Sequence, residues 1–128
     1  MKQPSIRLAL CSLVVAGAPL LGGVPAYAGD DGVERNGSCS GRSDWELQAK
    51  ARDGGLEVEA EVDSNRRGQR WKWVLRHNGD VVDRGVSRTR PPSGSFEVER
   101  RTNNADGTDT FRFRATHKGE VCRGRLRI

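Results

Sequence analysis

From Trp45 to the end of the chain, apolar and polar residues alternate in short runs broken by turn residues, the period-two signature of strands with one buried face. Trp45, Leu47, Ala49 and Ala51 alternate with Glu46, Gln48, Lys50 and Arg52 ahead of Asp53-Gly54-Gly55, whose glycines tolerate positive φ. Leu56, Val58, Ala60 and Val62 alternate with Glu57, Glu59, Glu61 and Asp63, and a polar loop follows over Ser64–Gln69. Trp71, Trp73 and Leu75 alternate with Lys72, Val74 and Arg76 before Asn78-Gly79, a strong type I′ hairpin signal because both central residues of that turn need positive φ. Val81–Ser87 returns as a fourth strand. Its faces are ambiguous, since Val81 and Val82 lie on opposite sides and Gly85 interrupts it, so it reads as an edge that either sheet could take. Beyond Arg90-Pro91-Pro92-Ser93-Gly94, Phe96 and Val98 alternate with Glu97 and Glu99, and Phe111, Phe113 and Ala115 with Arg112 and Arg114. The last strand sets Cys122, Gly124, Leu126 and Ile128 against Arg123, Arg125 and Arg127, and no stretch has helical periodicity.

Seven short strands with no room for crossover helices predict an all-β fold, an antiparallel sandwich with Greek-key connections. Over residues 39–128 the chain resembles immunoglobulin-like and fibronectin type III domains, through Trp73 just before the Asn78-Gly79 turn and through the run Asp109-x-Phe111-x-Phe113-x-Ala115. The resemblance implies a seven-stranded antiparallel immunoglobulin-like sandwich whose first and last strands lie side by side, with Cys39 and Cys122 within bridging reach. The chain departs from antibody domains in that Ala60 and Phe113 stand where their inter-sheet cysteines would, and Phe111 replaces the corner tyrosine.

Residues 1–28 read as a signal peptide. Lys2 and Arg7 supply the positive start, Leu8 to Leu21 the apolar stretch, and Ala26-Tyr27-Ala28 the small residues of a cleavage site. Gly17, Pro19, Gly22, Gly23 and Pro25 break the apolar run below the roughly 20 residues of a spanning helix, so no transmembrane anchor is expected after processing. Cys11 follows Leu10, where a lipobox needs a small residue. Residues 29–38 read as a flexible lead-in and 39–128 as the domain. The expected location is extracellular, in solution or held at the cell wall. The chain also resembles small signal-bearing proteins of high-GC Gram-positive bacteria, which implies localisation and brings no activity with it.

Loss of Lys2 and Arg7 with the signal peptide lowers the formal charge from +5 to +3. Acids are then nearly as numerous as bases, which argues against a nucleic-acid partner. Cys39 and Cys122 remain, and a lone pair in an oxidising compartment normally joins. Neither has a His or Cys at metal-ligand spacing, so no metal and no cofactor is expected.

Arrangement carries more than the sum. The outward acids are Glu57, Glu59, Glu61, Asp63, Glu97 and Glu99; the outward bases are Lys72, Arg76, Arg112, Arg114, Arg123, Arg125 and Arg127. In an immunoglobulin-like arrangement the two sets fall on opposite sheets, giving faces of opposite charge. The arginine face is the candidate binding surface for an anionic surface or an acidic protein partner, through guanidinium forks suited to phosphate and carboxylate. Self-association of acidic on basic face is a further possibility. A second candidate lies at one end, where the loops carrying Arg66, Arg67, Arg90 and Lys118 should converge.

No nucleophile motif accompanies His77 or His117, which read as turn residues, and the strand acids read as solvated and unshifted, so no catalytic residue is assigned. The expected function is a secreted, disulfide-stabilised, non-catalytic binding module. The alternatives are an inhibitor of an extracellular hydrolase acting through the rigid loop Arg88–Gly94, and a small-molecule carrier with a cleft between its sheets.

Overall fold

The computed structural model describes residues 32–128; the signal peptide expected over residues 1–28 lies outside them. The described residues form eight strands and no helix: β1 (Val33–Ser38), β2 (Asp44–Arg52), β3 (Gly55–Asp63), β4 (Arg70–His77), β5 (Asp80–Arg88), β6 (Ser95–Asn103), β7 (Thr110–His117) and β8 (Glu120–Arg127). They pair antiparallel into two four-stranded sheets, ordered β1-β2-β3-β6 and β5-β4-β7-β8. The chain is an all-β sandwich, with eight strands where the alternation predicted seven.

The additional strand is β1, which occupies most of the segment expected to be a flexible lead-in. Its pairing with β2 runs from Val33 opposite Ala49 to Ser38 opposite Asp44. Its core-side positions are Val33, Arg35 and Gly37, so it has no apolar alternation to announce it. Main-chain pairing holds it, together with a close approach of Trp45: a Cβ on Gly37 would lie 3.0 Å from that indole.

Three tight turns set the register of their hairpins. Asp53-Gly54, Asn78-Gly79 and Lys118-Gly119 all carry positive φ at both central residues, the requirement of a type I′ turn. Strand β5 joins β4 as the edge of the second sheet, with an irregularity in the register between Leu75 and Arg76. That settles the sheet the sequence left open.

The inner faces supply the core. Leu47, Ala49, Val58, Ala60 and Val62 from one sheet meet Trp71, Trp73, Leu75, Phe111, Phe113 and Leu126 from the other. The buried tryptophans keep their polar edges satisfied: Trp73 Nε1 donates to Ser87 Oγ at 3.0 Å and Trp71 Nε1 to Gln69 Oε1 at 3.3 Å. The aromatics pack in the space between the two sheets.

Both open sides of the sandwich are fastened. On one, Cys39, just past β1, is bonded to Cys122 of β8, with an S–S distance of 2.06 Å. Around that bridge Ser40 N–H donates to Val121 O, Val121 N–H to Ser40 Oγ, and Ser43 N–H to Glu120 Oε2, at 2.8 to 2.9 Å. On the other side Arg100 of β6 meets Asp83 of β5 at 2.8 Å and lies over the Trp73 ring, 5.4 Å from its centroid. The Arg100 hydrogen bond, followed by the Arg84 backbone N–H, holds the Asp83 carboxyl below its ordinary 3.8.

Candidate functional site

Because side chains alternate across a strand, residues directly opposite in register share a face. On the outside of the second sheet Arg76, Arg112 and Arg125 form one row across β4, β7 and β8. The next row holds Val74, Arg114 and Arg123, extended by Arg84 of β5. Lys72 stands beyond them opposite Val86 and Thr116, and Arg127 at the far end opposite Thr110. All seven bases expected to share this face do share it, and all are exposed. Among the described residues none of them forms an ion pair.

This face has relief as well as charge. Val74, Arg76, Arg112, Arg114, Arg123 and Arg125 line a shallow groove of about 380 Å³ over the backbone of Phe113 and Gly124. Val86, 46 % exposed, and Val81 add apolar surface toward β5. The arrangement suits an anion that engages several guanidinium forks at once while its less polar backbone rests on valine.

The outside of the first sheet is acidic. Glu46, Glu61 and Glu97 form a row across β2, β3 and β6, and Glu59 faces Glu99 in the next row. Asp44 faces Asp63 at the end of the pair β2–β3. The opposite end is neutralised: Glu57, only 8 % exposed, meets Arg52 at 3.2 Å and Lys50 at 3.7 Å. Carboxylate oxygens of Glu57, Glu59 and Glu99 lie within 4.8 Å of one another, near enough to share a cation.

For Glu59 and Glu61, burial and neighbouring carboxylates together correct the expectation of unshifted acids. Burial first, then the Glu97 carboxylate through charge and a hydrogen bond, then Glu57, raise the Glu59 carboxyl above 4.5, with Lys50 opposing. Burial, then Glu46, Asp63 and Glu59, raise Glu61. An acid whose folded pKa exceeds its unfolded value binds its proton more tightly when native, so the stability it contributes is present at low pH. That contribution is lost as pH rises from 4.5 through the folded value. The ionised pair therefore opposes folding at neutral pH. Glu59→Gln should raise the melting temperature by a few degrees at pH 7, with the gain shrinking in high salt and vanishing below pH 4.5. Thermal melts across that range check it, and a loss of stability at pH 7 would contradict it.

At the end of the sandwich the expected loops converge through their backbones. Ser64 N–H donates to Gly94 O at 2.9 Å, Gly68 N–H to Thr89 O at 2.7 Å, and the Thr89 hydroxyl bonds Arg66 O at 2.5 Å. His117 Nδ1 lies 2.7 Å from Arg70 O and its ring stacks on Trp71. The bonds brace the loops that carry Arg66, Arg67 and Arg90, with the turn of Lys118 at the same end, and all four side chains are exposed.

One grouping escaped the sequence reading. His77 is not an exposed turn residue: it is 8 % exposed, stacks on Phe111 at 4.6 Å between centroids, and bonds Asp109 Oδ1 through Nε2 at 2.6 Å. Asp109, 1 % exposed, also accepts from Ala105 N–H at 3.1 Å, and its backbone exchanges two bonds with Ile128. The signal was the polar Asp109 two residues before Phe111 on the inward phase of β7, a position where an unpaired carboxylate would be costly.

Fold and surface together define a disulfide-bridged all-β sandwich whose two outer faces carry opposite charge. Comparison with family models, curated proteins and solved structures finds no match for this chain.

Proposed function

We propose that this is a secreted, non-catalytic binding module of immunoglobulin-like topology that docks a closely spaced array of anionic groups on the outer face of β4, β7 and β8. One observation carries the reading: exposed bases stand opposite one another there without a single ion-pair partner among the described residues. Directly opposed like charges weaken a sheet, and an anionic ligand that enters between the rows relieves that repulsion as it binds. Guanidinium groups are weakly hydrated and present flat donor forks, so they give up water for phosphate or carboxylate more readily than lysines would. The disulfide fits an extracellular location, and no helix among the described residues is long and apolar enough to cross a membrane.

Long-chain polyphosphate serves as the test ligand. Binding followed by calorimetry should be tight at low ionic strength and fall at least tenfold between about 50 and 200 mM salt, because each neutralised anion releases a counterion. Salt-independent binding, or none at the lower concentration, would refute the docking role.

The braced loop Arg88–Gly94 favours a second reading, a hydrolase inhibitor. Thr89 is buried and Arg90 is closed against Ser95 and Gly94 by backbone bonds, leaving Pro91 and Pro92 exposed on a fixed support. Stoichiometric inhibition of a co-secreted protease, lost on cutting this loop, would establish it in place of the docking role.

A further inference from the structure

The two outer faces fit each other. Resting on the docking role proposed above, we infer that the anionic partner of the arginine face is the acidic face of a second copy of this chain, so that copies stack face to face.

Glu59, Glu99, Glu61 and Glu97 stand at the corners of a near-rectangle on the adjacent strands β3 and β6, with Glu59 opposite Glu99 and Glu61 opposite Glu97. Arg112, Arg125, Arg114 and Arg123 do the same on β7 and β8, with Arg112 opposite Arg125 and Arg114 opposite Arg123. Sheet geometry sets both rectangles. Opposed Cβ atoms lie about 4.5–5.5 Å apart across the strands, and successive same-face residues about 6.8 Å apart along them. Four carboxylates therefore meet four guanidinium groups corner to corner, in the pairing for which the arginine fork is built.

Each rectangle repels itself in the separate molecule. Directly opposed like charges are unfavourable, and on the acidic side burial first and the neighbouring carboxylates after it raise Glu59 and Glu61. Stacking relieves both faces in one step, whereas an unrelated polyanion relieves only the basic one.

Symmetry dictates the form of the assembly. The two faces lie on opposite sides of one sandwich, so two copies cannot satisfy both faces of both molecules at once. The contact is heterologous and does not close, and each docked copy presents a fresh face to the next. Four strands about 4.8 Å apart and roughly 26 Å long offer about 500 Å² per partner, or about 1,000 Å² in all. That is the lower end of specific interfaces. The stack should be reversible and favoured at high local concentration.

Sedimentation of the purified chain at about 20 mM and about 500 mM salt tests this. At low salt the mean mass should rise with concentration past that of a dimer without levelling, and at high salt it should return to the monomer. Arg112→Gln/Arg125→Gln keeps only the acidic face, and Glu61→Gln/Glu97→Gln keeps only the basic one. Each alone should sediment as a monomer, and a one-to-one mixture should form a heterodimer and nothing larger. Near-ultraviolet circular dichroism identical to the unaltered chain confirms that both variants are folded. Assembly that persists in the arginine variant, or a mixture that stays monomeric, overturns the stacking. A chain that is monomeric at every salt concentration yet still binds polyphosphate overturns the stacking alone and leaves the docking role standing, with the envelope's own polyanions as its partner. Monomers that bind no polyphosphate overturn both.

Discussion

Replacing both bridged cysteines, Cys39→Ser with Cys122→Ser, should cost about 4.5 kcal/mol, the chain-entropy value for a loop of this length. The bridged residues are 83 positions apart, so the bond constrains nearly the whole described chain when it unfolds. A small domain is stable by only about 5–15 kcal/mol in total, so the variant should lose between about a third and nine-tenths of its stability. The native seam is also affected. The bonds of Ser40, Ser43 and Glu120 close it only while β1 and β8 stay adjacent, and Val33 and Gly37 give β1 little apolar surface of its own. Urea unfolding with and without reductant measures the effect. An unchanged midpoint on reduction would show that the seam holds without the covalent bond.

The second large effect belongs to Asp109. Asp109→Ala should destabilise by about 3–5 kcal/mol, because each buried hydrogen-bonding group left unsatisfied costs about 1–3 kcal/mol. Two donors lose their acceptor at once, His77 Nε2 and the Ala105 N–H. The damage reaches the C-terminus, because the backbone of Asp109 exchanges bonds with Ile128 beside the strand ends. For a domain of this size a loss of 1 kcal/mol moves the melting temperature by roughly 4–8 °C, so a drop of about 12–40 °C is expected. Asp109→Asn keeps an acceptor oxygen at the site and should recover part of it. A drop under about 4 °C for the alanine variant would show the pair to be incidental.

The sequence made some of these features plain and hid others for physical reasons. Alternation revealed β2, β3, β4, β7 and β8 because each has a run of successive inward positions that are apolar, and the outward charges of those strands were legible at the same stroke. Asn78-Gly79 announced its hairpin because few residues accept positive φ twice in succession. Strand β1 was hidden, since with Val33, Arg35 and Gly37 inward it is held by main-chain pairing and by the Trp45 ring. The pairing of His77 with Asp109 and of Arg100 with Asp83 joins residues 32 and 17 positions apart, and no local period records such contacts. The acids of β3 and β6 were placed on one face at the outset, but the partial burial that leads the upward shift of Glu59 and Glu61 depends on tertiary surroundings that no strand pattern records.

Charge reversal of the basic face tests its docking role most directly. In Arg112→Glu/Arg114→Glu/Arg125→Glu, polyphosphate affinity at low salt should fall by at least a hundredfold, and the slope of log affinity against log salt should flatten by about three contacts' worth. The matched acidic-face change, Glu59→Lys/Glu61→Lys/Glu97→Lys, should leave that affinity equal or stronger. Unaltered binding by the arginine-reversed chain, while its disulfide and near-ultraviolet spectrum stay native, would contradict the assignment of function to this face.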